Sequence, residues 1–322
     1  MPTGLFHTLP VIGALTMEGT TQEGERVLIV TAEQPDRVAG FDDEISKDVL
    51  ERFHLECFRA DHVLSLGKSP WDLVERGDDP PDFVVTSGDT YRGVDCAALA
   101  DHHRRLGYVL MDHLRDRLKA GAGARDFSGV AGCVLSVWFG PTLSDLPPKR
   151  WDDSIIDPLL DEIAACRVDH EAVARLNVQI AERGFPQVMP PVVATGSIGA
   201  DAGFVANVVL GPAEGVRFST GLGFDVQLSR PAELTAAKAL QMVQRIVRAH
   251  DQPTIEELIL TAGGPDRRGV RYPGEEAVAA FLLSQGAVKV TAEHLRAVAV
   301  HLWFARRIEY VELEVTSHGD VT

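Results

Sequence analysis

Residues Pro80 to Leu99 read PPDFVVTSGDTYRGVDCAAL, and the fold of the chain turns on how this stretch is read. Pro80 and Pro81 stiffen the approach, and Asp82 opens the apolar run Phe83, Val84 and Val85. Thr86 to Thr90 has the composition of a polar turn, after which Gly93 and Val94 lead to Asp95. The pattern predicts a hairpin with a carboxylate on each arm. Strands that leave and return through one tight turn bring Asp82 and Asp95 to the same end of a sheet, where their oxygens suit a hard cation such as Mg²⁺. The alternative is local: Asp82 is an ordinary turn residue after prolines, and Asp95 caps a helix begun by the alanines that follow it.

The same residues resemble a known family. A Pro-Asp-Phe strand followed by a Gly-Val-acidic strand, here Gly93-Val94-Asp95-Cys96-Ala97, resembles the core of the PD-(D/E)XK nuclease superfamily, in particular its divergent bacterial branch. The resemblance implies a restriction-endonuclease-like α/β fold and metal-dependent hydrolysis of nucleic-acid phosphodiesters. Asp82 and Asp95 then correspond to the two metal-binding carboxylates, and their removal is expected to leave the fold largely intact. Ala97 stands where the superfamily carries its lysine, so the group that would orient water and stabilise charge on phosphate is missing. The expectation is weak or absent nuclease activity; Lys238, Arg104 and Arg105 are the replacement cations that sequence order suggests.

Upstream, Asp42 to Phe58 has the apolar spacing of an amphipathic helix, with Ile45, Val49, Leu50, Phe53 and Cys57 on one side. In the superfamily a helix at this place often adds a carboxylate to the site, which implies Glu44 or Glu51; either is equally an exposed helix acid. Downstream, Ala97 to Lys119 is expected to be helical, Val130 to Phe139 a buried strand, and Ser154 to Cys166 a helix. Pro190 to Leu228 is rich in glycine and valine and reads as a β-rich insertion of two to four strands. A helix over Ala232 to His250, a strand over Glu257 to Thr261, helices near Glu275 to Gln285 and Ala292 to Ala305, and a last strand over Ile308 to Val315 complete the pattern. The fold expected is one α/β domain over 1–322, with a mixed central sheet flanked by helices and the insertion at 190–228.

Composition narrows function further. The 322 residues are 45% apolar and 24% charged, as in an ordinary globular protein. No apolar run approaches the roughly 20 residues of a membrane-spanning helix, and the amino terminus lacks the basic start of a signal peptide, so the expectation is a cytoplasmic protein with no membrane partner. Four scattered cysteines without a CxxC pair point to reduced, buried thiols. A formal charge of −16 excludes a surface that is everywhere a nucleic-acid platform. Nucleic acid would have to meet local basic patches, of which Arg267, Arg268 and Arg271 form one and Arg306 and Arg307 another. The other expectation is a non-catalytic binding or assembly subunit with a protein partner, using the same fold as a scaffold.

Overall fold

The computed structural model describes residues 14–315 apart from 22, 34, 39–40, 42–43, 101, 121–124, 141, 144–145, 184–191, 209–216 and 229–232. The chain divides into two compact units: the first combines Met1–Ala100 with Ala232–Thr322, and the second is Asp101–Pro231. The first unit begins with strands β1 (Ala14–Thr20), β2 (Arg26–Glu33) and β3 (Asp36–Arg37). Helix α1 (Lys47–Leu66) follows, then β4 (Leu73–Arg76), β5 (Phe83–Ser87) and β6 (Thr90–Ala98).

The second unit contains α2 (His102–Lys119), β7 (Cys133–Phe139), α3 (Asp157–Ala165), α4 (His170–Arg183), β8 (Val192–Ile198), β9 (Ala202–Val208), β10 (Arg217–Ser219) and β11 (Asp225–Leu228). The first unit resumes with β12 (Glu233–Thr235), α5 (Ala236–His250), β13 (Glu257–Ala262), β14 (Val270–Arg271) and α6 (Pro273–Ser284). It ends with β15 (Lys289–Ala292), β16 (Ala297–Leu302), β17 (Arg307–Tyr310) and β18 (Glu312–Val315).

The principal sheet of the first unit has the order β17-β16-β13-β6-β5-β4. Strands β4, β5 and β6 form an antiparallel meander, β13 runs parallel to β6, and β16 runs parallel to β13. Helix α1 starts at Ser46, whose hydroxyl accepts from the Val49 amide, and stops at Gly67 in the left-handed region (φ 73°). Its buried residues Glu51, His54, Leu55, Phe58, Asp61 and His62 recur at helical spacing. That stripe brings Leu55 and Phe58 into a core with Phe83, Val85, Val94, Ile259 and Ala299. On the other face, Leu258, Leu260, Val298 and Val300 pack with Val243 and Val247 of α5 and Phe281 of α6.

The expected hairpin is present, with Phe83 opposite Val94 and Ser87 opposite Thr90. Five other expectations differ. The strand read at Val130 to Phe139 does not enter the principal sheet: β7 lies between β11 and β9 in a five-stranded sheet of order β10-β11-β7-β9-β8. The glycine- and valine-rich segment supplies those partners, so it belongs to a larger inserted unit instead of decorating a single domain. Ala292 to Ala305 is not helical; Ala297–Leu302 is a strand whose covered faces make its apolar residues continuous, which hides the period of two. The alanines after Asp95 extend β6 and do not start a helix, because parallel pairing with β13 engages Ala97 and Ala98. The final strand splits at Val311 into β17, at the edge of the principal sheet, and β18, which pairs with β15.

Phe58 tests the packing of α1. Its ring is fully buried, stacked on Trp71 at 5.7 Å and edge-on to His301 at 5.8 Å. Phe58→Ala is expected to cost about 3–5 kcal/mol in urea denaturation; a loss below about 1 kcal/mol would mean that α1 does not cover this sheet.

Candidate functional site

The hairpin register places Asp82, just before β5, opposite Asp95 within β6, and their side chains reach across to each other's strand. The Asp82 amide donates to Asp95 Oδ1 at 2.8 Å, and the Cys96 amide donates to Asp82 Oδ2 at 3.0 Å. Asp95 Oδ2 accepts from Nδ1 of His250, the last residue of α5, at 2.9 Å. Both carboxylates are buried, Asp82 at 3% and Asp95 at 5% exposure. The structure therefore brings the two predicted aspartates together.

Helix α1 adds Glu51, which is buried, and Lys47 one turn before it. The Lys47 ammonium lies 3.2 Å from Glu51, 3.6 Å from Asp79 and 4.0 Å from Asp82 Oδ1. Arg76 closes the other side of Glu51 at 3.0 Å and reaches Asp48 at 2.9 Å. Glu44, the alternative helix acid, precedes α1, is exposed and pairs with Arg267 at 3.1 Å. It takes no part in these contacts.

The electrostatics follow from burial and crowding. Asp82 is pushed up to about 6, first by burial and then by the charges of Asp95 and Glu51, against the opposing pull of the Cys96 amide and Lys47. Burial works against the charge of Lys47, but the hydrogen bond and charge of Glu51, with Asp82 and Asp79, outweigh it and raise its pKa. Cys96, fully enclosed beside these acids, is a thiol held well above its ordinary value by burial and then by the neighbouring carboxylates. It is a packing residue.

No protein-family model, curated protein or solved structure matches this chain. The site is read from its geometry.

A resident Mg²⁺ takes oxygen ligands in near-octahedral geometry, through one or two carboxylates and water. Here both oxygens of Asp95 and one of Asp82 already accept from protein N–H groups, and Glu51 is held between Lys47 and Arg76. Among the described residues no group of three or more His, Cys, Asp or Glu side chains is arranged to hold a metal ion. As folded, these carboxylates are engaged with protein N–H groups, Lys47 and Arg76.

Lys47 was not among the replacement cations that sequence order suggested, although its i,i+4 spacing from Glu51 was visible. Lys238 is an exposed residue in the first turn of α5. Arg104 and Arg105 belong to the second unit, and the side chain of Arg104 lies outside the described residues. Nothing in the sequence marked His250 as the partner of Asp95. The basic patches are largely neutralised: Arg268 pairs with Asp266, Arg271 with Asp36, Arg306 with Asp61 and Arg307 with Glu309.

Two outcomes follow. Because Asp95 satisfies a buried amide and an imidazole, Asp95→Ala is expected to cost about 1–3 kcal/mol in urea denaturation, contrary to the neutral effect implied by a ligand role. An unchanged midpoint would show that the clamp is dispensable. Asp82, with a folded pKa of about 6 against an ordinary 3.8, favours folding when protonated; that contribution is full below about 3.8 and is lost as pH rises through about 6. Asp82→Asn is therefore expected to be more stable than the parent at pH 7.5, by about 2 kcal/mol, with the difference vanishing near pH 4. Denaturation at the two pH values checks this, and a pH-independent difference would contradict it.

Proposed function

We propose that this chain is a nuclease-like protein whose hydrolytic site has become structural, so that it works as a non-catalytic binding or assembly subunit on a PD-(D/E)XK-like scaffold. The order helix, three antiparallel strands, helix, parallel strand, traced by α1, β4, β5, β6, α5 and β13, supports the scaffold part of the reading. So does the position of Asp82 and Asp95 on neighbouring arms, with an acid from the preceding helix beside them. The observation that carries the non-catalytic part is the occupation of the two aspartates by backbone amides and His250. Carboxylates used in this way hold a hairpin together, and Ala97 leaves β6 without the usual lysine.

One observation favours a second reading, a working phosphodiesterase. The Lys47 ammonium stands beside Asp82 and Glu51 and could supply the positive charge that Ala97 cannot. A cleavage assay separates the two. With Mg²⁺ or Mn²⁺ and single-stranded or double-stranded DNA or RNA, purified protein is expected to show no turnover above background. Cleavage at ordinary enzyme rates, on the order of 10 s⁻¹, that falls roughly 10²–10³-fold in Lys47→Ala and is abolished in Asp95→Ala would establish the second reading instead.

A further inference from the structure

The parallel strands β13 and β16 end side by side, with Thr261 next to His301. This is the carboxyl end of β13; Asp95 pairs beside Leu258, near its start. Beyond these ends lies a pocket of about 300 Å³ lined by Cys57 and Asp61 of α1, Arg271 of β14, and Trp303, Phe304 and Arg306 after β16. Carboxyl ends of parallel strands are where α/β sheets present ligands, and this volume lies at the small end of the range for ligand pockets.

The two basic clusters that the sequence leaves 35 residues apart, around Arg271 and Arg306, meet at this pocket. Each arginine is held along one edge. Buried Asp61 accepts from Arg306 Nε at 2.7 Å and from Nε2 of the fully buried His301 at 2.9 Å, so the carboxylate is fixed from behind. Among the described residues the terminal nitrogens of Arg306 bond to nothing else. Its backbone is left-handed (φ 51°), a conformation uncommon outside glycine, and Ser65 Oγ donates to its carbonyl at 3.0 Å. Arg271 is oriented by Asp36, which accepts from Nε at 2.7 Å and from a terminal nitrogen, and its guanidinium lies 5.1 Å over the Phe304 ring. Forks held in this way are preorganised for a carboxylate or phosphate.

Charge and wall chemistry narrow the ligand. Each guanidinium is paired with a carboxylate, Arg271 with Asp36 and Arg306 with Asp61, so the two pairs carry no net charge. A dianion meets more repulsion from those two carboxylates than a monoanion does. The remaining lining is apolar or aromatic: Trp303, Phe304, Ala60 and Cys57. The Cys57 thiol is pushed up to about 11, chiefly by burial and then by Asp61, so it acts as a neutral wall and not as a nucleophile.

We propose that this pocket binds a small aromatic monocarboxylate, with its carboxylate on Arg271 and Arg306 and its ring against Trp303. The inference is independent of whether the hairpin carboxylates act in catalysis. Calorimetric titration of the full chain with benzoate, benzamide and phenyl phosphate tests it. Benzoate is expected to bind saturably at one site, the neutral isostere benzamide not to bind, and phenyl phosphate to bind more weakly than benzoate. Arg306→Gln and Arg271→Gln, each shown to be folded by its melting transition, are expected to weaken benzoate roughly tenfold or more. Four results would each overturn the proposal: no saturation by about 10 mM benzoate, equal binding of benzamide, affinity unchanged in both variants, or tighter binding of phenyl phosphate. The ligand comparison decides even if a variant fails to fold.

Discussion

Strand β13 must be covered on both faces, and much of the first unit follows from that requirement. All six of its residues are buried. Its backbone groups are satisfied by parallel neighbours on either side, β6 and β16, which leaves the two faces to be covered by side chains. Ile259 turns to the α1 layer, while Leu258 and Leu260 turn to the α5 and α6 layer. The covering elements come from parts of the chain separated by the whole second unit, so the sheet closes through contacts of long sequence separation. Gly93 shows how close that closure is. Its carbonyl accepts from the Glu256 amide at 2.9 Å, and a Cβ at this position would collide with the Thr254 carbonyl oxygen.

Within this frame the hairpin carries an unusual amount of buried negative charge. Asp82, Asp95 and Glu51 lie under α1 or beside it, and each is met by donors supplied at short range: two amides, an imidazole, an ammonium and a guanidinium. Burial and mutual repulsion still leave Asp82 a weaker acid than usual, so satisfaction by hydrogen bonds is incomplete in energy. A cluster of this kind is what catalytic sites maintain and what structural clamps usually avoid. Here three of the four aspartate oxygens accept from protein N–H groups, which ties the two arms of the hairpin to each other and to α5.

The second acidic feature of α1 is handled differently. Asp61 lies ten residues after Glu51 on the same buried stripe, yet it is flanked by His301 and Arg306 and its pKa is lowered. Burial alone would raise it; the hydrogen bonds and charges of His301 and Arg306 outweigh that penalty. The contrast between Asp82, which faces Glu51 of α1, and Asp61 shows the buried side of α1 meeting two environments, one crowded with acids and one balanced by bases.

The sequence by itself determined the local elements with strong periodicity. The hairpin, α5, α6 and β13 are legible because apolar spacing, prolines and glycines set them within a few residues, whereas α1, expected over Asp42 to Phe58, begins at Lys47 and runs on to Leu66. It also placed Asp82 and Asp95 together, since a tight turn between short arms leaves few registers. Tertiary structure alone decided which sheet each strand joined. A fully covered run such as Ala297–Leu302 has no period to reveal whether it is helix or strand, and β7 is as apolar as any strand of the principal sheet. Tertiary structure also decided that Glu51 and not Glu44 joins the aspartates, that Lys47 and His250 stand beside them, and that Arg271 and Arg306 share a pocket. These pairings depend on helix rotation over a sheet and on strands far apart in sequence, and neither quantity is encoded in the spacing of neighbouring residues.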